Sequence, residues 1–456
     1  MEKQLYDLTL SQQVLLVSQK YSLQKQVLNV PISCLVEREM NFDLLRKAVE
    51  IAFSRSDALH LKIIKQGKNI VQYFSDDEKP EIGFIDCTGM NEEKEYRTLL
   101  KVAQKNVHCV DKPLYRFNLV RNRNGWCGVM VVVSHMIMDG WGVNMFIKDI
   151  FGIYSHLEGK AEMPPTPYPF KDELLRELEY AKSEQHQKDL AWWKNEWLTH
   201  KPVYTHPVTN KRLVKARKKK PDAVGCANFV LDTRGSHVIC DVNKKLVDAI
   251  EAFCAKNHVS PSILFDMAVT TIIAKVNGTD SCSISSAAAM RSKLSQRNTG
   301  GSMLGTHLLR YEYDWNASAI SQLSSNYQHK MGAMRHFQPA YLETWTILNE
   351  IYGLKQIETV SSVSVSFQPL PLALGGYNKV HTRWYPTGVG NQPILLEVMD
   401  NDGNGGWRVY YEIQPAHIKP DQTETMHRRV LEFFRLMVED ASRPLCRIMD
   451  EVMKVQ

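Results

Sequence analysis

Val131-Val-Val-Ser134-His135-Met-Ile-Met138-Asp139-Gly140-Trp141-Gly142 is the stretch from which the rest of the chain can be read. Apolar, β-branched residues run up to Val133 and read as a buried strand. His135 follows at once, and Asp139-Gly140 come four and five residues later. After Gly142, Met145, Phe146, Ile150, Ile153 and Tyr154 recur at spacings of three and four, the pattern of one helix face. The histidine therefore sits where a buried strand stops and a helix is about to start. A side chain held there by two rigid elements is well placed for chemistry.

The chain has 456 residues, enough for two domains with cores of their own. With 44% hydrophobic and 23% charged residues it has the composition of a globular protein. No apolar run approaches the roughly 18 residues of a membrane span. The opening Met1-Glu-Lys-Gln-Leu-Tyr-Asp7 lacks the basic head and apolar stretch of a secretory signal. A cytoplasmic protein without a membrane segment is expected. The nine cysteines form no C-x-x-C pair and are odd in number, which favours free thiols over disulfides or a zinc site. H-E-x-x-H, Walker, dinucleotide-binding and Gly-x-Ser-x-Gly patterns are absent. Neither a metal, nor a resident cofactor, nor a covalent serine mechanism is therefore expected. The net charge of +6 is partly local, in Lys211-Arg212 and Arg217-Lys-Lys-Lys220. That cluster reads as a solvated, flexible linker, with steering of an acidic partner as the alternative. No nucleic-acid module surrounds it.

Three segments are expected along the chain. Residues 1–165 form an N-terminal lobe carrying the His135 stretch, 166–225 a linker helix and basic loop, and 226–456 a C-terminal lobe. In the first, Phe42, Leu45, Val49, Ala52 and Phe53 keep helical register. Strands are predicted at 59–64, 70–74, 115–120 and 126–133, with a helix over 94–106. The prolines of Met163-Pro-Pro-Thr-Pro-Tyr-Pro169 break any helix. One polar helix is predicted from Lys171 to about Trp197, with two of its three indoles packed on one face. Beyond 226, helices are predicted over 241–257 and from Ser260-Pro261 to Asn277-Gly278, read as an N-cap and a left-handed stop. Strands follow at 283–286, 307–313, 360–367, 394–400 and 407–413, and a last helix over 421–438. Strands and helices mixed in both halves imply an α/β (α+β) sandwich.

The spacing His135-x-x-x-Asp139-Gly140 resembles the His-His-x-x-x-Asp-Gly motif of the condensation domains of nonribosomal peptide synthetases, members of the chloramphenicol acetyltransferase-like superfamily. Further segments are similar in the right order. They are Leu8-Thr-Leu-Ser-Gln-Gln13, Arg55-Ser-Asp-Ala-Leu-His60, Asp111-Lys-Pro-Leu-Tyr-Arg116, Gly301-Ser-Met-Leu-Gly-Thr-His-Leu-Leu-Arg310 and Ser364-Val-Ser-Phe-Gln-Pro369. Ser134 replaces the motif's first histidine. Asn401-Asp-Gly-Asn-Gly-Gly-Trp407 does not match the Asp-Phe-Gly-Trp-Gly of plant-type acyltransferases.

The resemblance implies two chloramphenicol-acetyltransferase-like lobes in a V-shaped pseudodimer with a central tunnel. It also implies a stand-alone acyltransferase joining a carrier- or pantetheine-linked thioester to an amine or an alcohol. The donor would bring its own phosphopantetheine, on a carrier protein in trans or as coenzyme A. His135 is the candidate general base, because imidazole accepts a proton near neutral pH. Asp139 is expected in a buried salt bridge to an arginine of the other lobe, Arg291 or alternatively Arg55. Gly140 would let backbone approach the thioester, and the amides from Gly140 to Gly142 are placed to face an oxyanion. Ser134, Trp141 and Ser366 are candidate substrate contacts. The rival readings are a non-catalytic module that recruits carrier proteins and a coenzyme A-dependent acyltransferase.

Overall fold

No residue of the strand Cys127–Ser134 is exposed, and its place in a sheet explains this. In the computed structural model, which describes residues 4–75, 79–107, 110–219, 224–227, 232–355, 358–390 and 392–456, this strand is the middle one of five. The order is Val380–Trp384, Asn29–Val36, Cys127–Ser134, Tyr115–Arg121, Ile82–Asp86. Both neighbours of the middle strand are antiparallel to it. Alternate side chains enter two cores. Val129, Val131 and Val133 join a large cluster with residues of the helices Phe42–Arg55 and Gly140–Leu157. Met130 and Val132 face a smaller one with Leu99, Ala103 and Tyr385. A strand covered on both faces needs apolar residues at every position, which is why its sequence runs rather than alternates. A three-stranded sheet, Tyr6–Asp7, Asn69–Phe74, Leu61–Gln66, lies in the same unit.

The second unit is built on six strands in the order Leu304–Glu312, Ser281–Ala289, Val363–Gln368, Ile394–Asp400, Trp407–Ile413, Ser236–Val242. Val363–Gln368 is parallel to both its neighbours, and the last three strands are antiparallel in sequence. The helix Pro261–Asn277 is buried nearly all round and ends at Gly278, whose φ of 64° is the left-handed stop expected. Trp193 and Trp197 are buried and stacked, their ring centroids 5.2 Å apart. No single helix among the described residues is long and apolar enough to cross a membrane.

Several expectations are corrected. The first unit comprises residues 1–183, 289–304 and 371–389, and the second 184–288, 305–370 and 390–456. The division is thus not contiguous. Residues 380–384 pair with the strand Asn29–Val36, and 289–304 pack beside Asp139. The single helix expected from Lys171 is two, Phe170–Tyr180 and Glu184–Thr199. The basic segment is a helix, Lys211–Lys219, rather than a free loop. Leu213 is buried, and Arg217, one turn on, donates to the carbonyls of Tyr204 and Asn277. Lys220 lies outside the described residues.

His307 gives the second unit a measurable acid sensitivity. It is fully buried, stacks on Trp193 at 4.8 Å, and its ring Nε2–H donates to the Phe337 carbonyl at 2.7 Å. Burial pulls its pKa down to about 4. An unfolded imidazole titrates near about 6.5, so the unfolded chain takes up a proton that the folded one refuses. Stability present above about pH 6.5 is lost as pH falls toward about 4, with about 2 kcal/mol gone by about pH 5. The melting-temperature gap between wild type and His307→Gln should therefore narrow between about pH 7.5 and about pH 5. An unchanging gap would mean that the folded imidazole is charged or solvated.

Candidate active site

His135 is the first residue past the central strand, and backbone bonds fix the turn it opens. Ser134 N–H donates to Leu114 O at 2.7 Å, and His135 N–H to Leu28 O at 2.7 Å. The amides of Ile137 and Met138 both donate to Ser134 O, at 3.0 and 3.3 Å. The Ser134 side chain is fully buried, and its hydroxyl accepts from the Met136 amide at 3.3 Å. A substrate contact by Ser134, expected from the sequence, would require its enclosed side chain to be uncovered. Its place is in the turn.

The His135 residue is half-buried. Its ring Nδ1 is buried and makes no hydrogen bond to another residue among those described. Burial lowers the imidazole pKa below its usual value, while the Asp139 charge and the residue's own backbone pull the other way. At neutral pH the ring is the free base, the form that accepts a proton.

Asp139 caps the helix Gly140–Leu157, its Oδ1 accepting from Gly142 N–H at 2.8 Å. Oδ2 accepts from Met303 N–H at 2.8 Å. Arg291 Nη2 donates to both oxygens, at 2.9 and 3.1 Å, and to Gly301 O at 3.0 Å. The two side chains are only 1% (Arg291) and 6% (Asp139) exposed. The pair between Asp139 and Arg291 is therefore present, but within one compact unit rather than across two lobes. The alternative partner, Arg55, instead meets Asp149 at 3.3 Å and the carbonyls of Pro164 and Pro165. None of the carboxylate's hydrogen bonds reaches His135; it acts on the imidazole by charge alone. What the carboxylate holds is the helix start, Arg291 and the Met303 amide.

Gly142, at the third position of that helix, is under steric pressure. A Cβ on Gly142 would come within 2.8 Å of Gly301 O and 2.7 Å of Met138 Cγ. Gly301 itself has φ +90°, and a Cβ there would fall 2.1 Å from the Phe170 ring. Backbone thus packs on backbone beside the Asp139–Arg291 pair. Gly142→Ala should cost about 1–3 kcal/mol, read by chemical denaturation; a neutral result would mean that the 301 segment moves freely. The Gly142 amide is occupied by Asp139, which withdraws it from the oxyanion role expected of it. The amides of Gly140 and Trp141, in the first turn, have no intrahelical acceptor. Trp141 donates through Nε1 to Arg297 O at 3.0 Å, and the Arg291 guanidinium lies 6.0 Å from its ring centroid, so packing engages it. Ser366 belongs to the second unit, on the strand Val363–Gln368, where its hydroxyl accepts from Gln368 Nε2 at 2.6 Å. Sequence reasoning also missed Met303 and Gly301, although both lie in the segment Gly301 to Arg310 that carries part of the family resemblance.

A family model described as Condensation domain matches residues 2–370. A plipastatin synthase chain of Bacillus subtilis (strain 168) is 18% identical over 418 residues, 91% of this chain and 16% of that protein. Surfactin synthase subunit 1 of the same organism is 23% identical over 375 residues, 81% of this chain and 10% of that protein. The chain thus spans well under a fifth of the length of these curated relatives. A variant of the starter condensation domain of rhizomide synthetase RzmA, solved with C8-CoA, has a TM-score of 0.80 at 16% identity, covering 97% of this chain and 96% of that one. The first condensation domain of the calcium-dependent antibiotic synthetase, solved with a substrate analogue, gives 0.79 at 14% identity, covering 97% and 98%. These likenesses carry the fold, two lobes of the chloramphenicol-acetyltransferase type. The family match covers most of the sequence and holds the whole His135 to Gly142 stretch, and the family is one of acyltransferases that form amide bonds from thioesters. The chain belongs to the condensation-domain family.

Proposed function

We propose that the protein forms an amide bond between an acyl or aminoacyl thioester and an amine, with His135 as general base, in the biosynthesis of a peptide natural product. The observation that carries this reading is the His135 imidazole. Its Nδ1 bonds to no other residue among those described, burial lowers its pKa, and it stands at the rigid end of the central strand. Amide formation needs the amine proton removed as the C–N bond forms. A neutral imidazole within reach of the amine does that, and positioning of the two substrates supplies the rest.

The donor is proposed to arrive on phosphopantetheine. A related starter domain was solved with C8-CoA, and the matched relatives include a plipastatin and a surfactin synthase. We take a carrier protein as the first choice and a coenzyme A ester as the second, with an alcohol as the alternative acceptor. The free cysteines among the described residues fit a reducing cytoplasm. The test is a mass-spectrometric screen. Acyl-carrier, acyl-pantetheine and acyl-coenzyme A thioesters are offered with amines and alcohols. New amide from carrier-bound donors supports the reading, and new ester only would move the alcohol acceptor to first place. Tight binding of an acyl-carrier protein with no product from any donor would favour a recruiting module.

A further inference from the structure

His135 lacks the side-chain partner that orients a catalytic imidazole in a triad, since its Nδ1 bonds to no other residue among those described. Its direction is therefore set by its backbone, and one buried side chain from the start of the chain grips that backbone. Gln12, on the helix Leu10–Tyr21, is 1% exposed, and its Nε2 donates to the carbonyl of Met136 at 3.0 Å. The same nitrogen donates to Gln72 Oε1 at 2.8 Å. Its Oε1 accepts from Gln72 Nε2 at 2.7 Å and from Thr9 N–H at 2.9 Å. Gln72, fully buried, uses its remaining N–H on Asp7 O at 2.8 Å.

We infer that Gln12, braced by the reciprocal amide pair with Gln72, is a positioning residue for His135. The inference rests on the reading of His135 as the base. Both donors and both acceptor sites of the Gln12 amide are filled, so no other residue type meets the same demands. Glutamate has no second donor, asparagine is a methylene shorter, and methionine has the reach without the bonds. A buried polar network that is fully satisfied fixes a single geometry. The peptide on the N-terminal side of His135 is held by Leu28 O, and the Met136 carbonyl on the C-terminal side is held by Gln12. The imidazole is thus aimed by two backbone anchors.

A double-mutant cycle tests this in the full chain. Gln12→Met in the wild-type background should lower kcat about 10- to 100-fold, with KM within about twofold. In a His135→Ala background the same change should leave the residual rate unchanged, because the group it aims is gone. Equal losses in both backgrounds would overturn the inference. If His135→Ala alone leaves the rate intact, the base assignment fails, and the positioning claim is then decided by NMR of the histidine rings. Gln12→Met should move the His135 signals and its titration and leave those of His307 in place. Unmoved His135 signals would overturn it. Gln72→Met, which leaves the Met136 contact available, gives the same readouts should Gln12→Met not fold, with a smaller loss expected.

Discussion

Asp139→Ala should lower the stability of the folded protein by about 3–5 kcal/mol in chemical denaturation. The change leaves Arg291 charged and almost fully enclosed, with Gly301 O as its remaining acceptor. Its Nε and Nη1 already lack hydrogen-bond partners among the described residues, so the Asp139 carboxylate carries most of its compensation. The amides of Gly142 and Met303 lose their acceptor at the same time. Asp139→Asn keeps the shape but not the charge, and turns an N–H₂ toward other donors. Replacing both Asp139 and Arg291 by leucine and methionine should cost less than either single change, because no charge is then stranded. A single change costing under about 1 kcal/mol would place the pair in solvent. The expected consequence for function is indirect. The Gly142 to Gly301 backbone contact loosens, and the helix behind the His135 turn loses its cap.

His135→Ala should lower kcat by about 10²- to 10⁴-fold, the usual range for a general base, with KM little changed. Residual activity is expected, because approximation of two tethered substrates does not depend on the imidazole. The wild-type pH profile carries the signature of the environment. Burial lowers the pKa of His135, so the base form persists below the usual imidazole value. The acidic limb of kcat/KM should therefore fall at a pH lower than about 6.5. A limb at or above that value would mean that the Asp139 charge outweighs burial, or that another group titrates.

Much of this site was legible in the sequence, for a physical reason. The strand Cys127–Ser134 is buried on both faces, so its composition announces it. The helix after it carries its own start signal, since Asp139 is both motif residue and cap. Arg291 as a partner of Asp139, expected from the other lobe, came from family resemblance; the two side chains meet at 2.9 Å within one unit. What stayed hidden was non-local or disguised. Asn29–Val36 contains Pro31 and two small polar or thiol residues, yet it is paired on both sides. Val380–Trp384 is polar and lies at the sheet edge, and its register with Asn29–Val36 has no trace in its own pattern. The Lys211–Lys219 helix was obscured by charge, although Leu213 and Arg217 anchor it. Gln12 lies within a segment that resembles the family, but its target carbonyl is 124 residues away. The close approach made by Gly142 is to Gly301, a neighbour that only the fold supplies.

The most direct measurement is the single-turnover rate of amide formation for wild type and His135→Ala side by side, with a carrier-bound acyl donor and an amine acceptor. The account predicts an amide that forms with the wild type and slows about 10²- to 10⁴-fold in the variant, with both proteins equally folded. Equal rates in the two proteins would contradict the assignment of His135 as the base and leave positioning alone to explain the reaction.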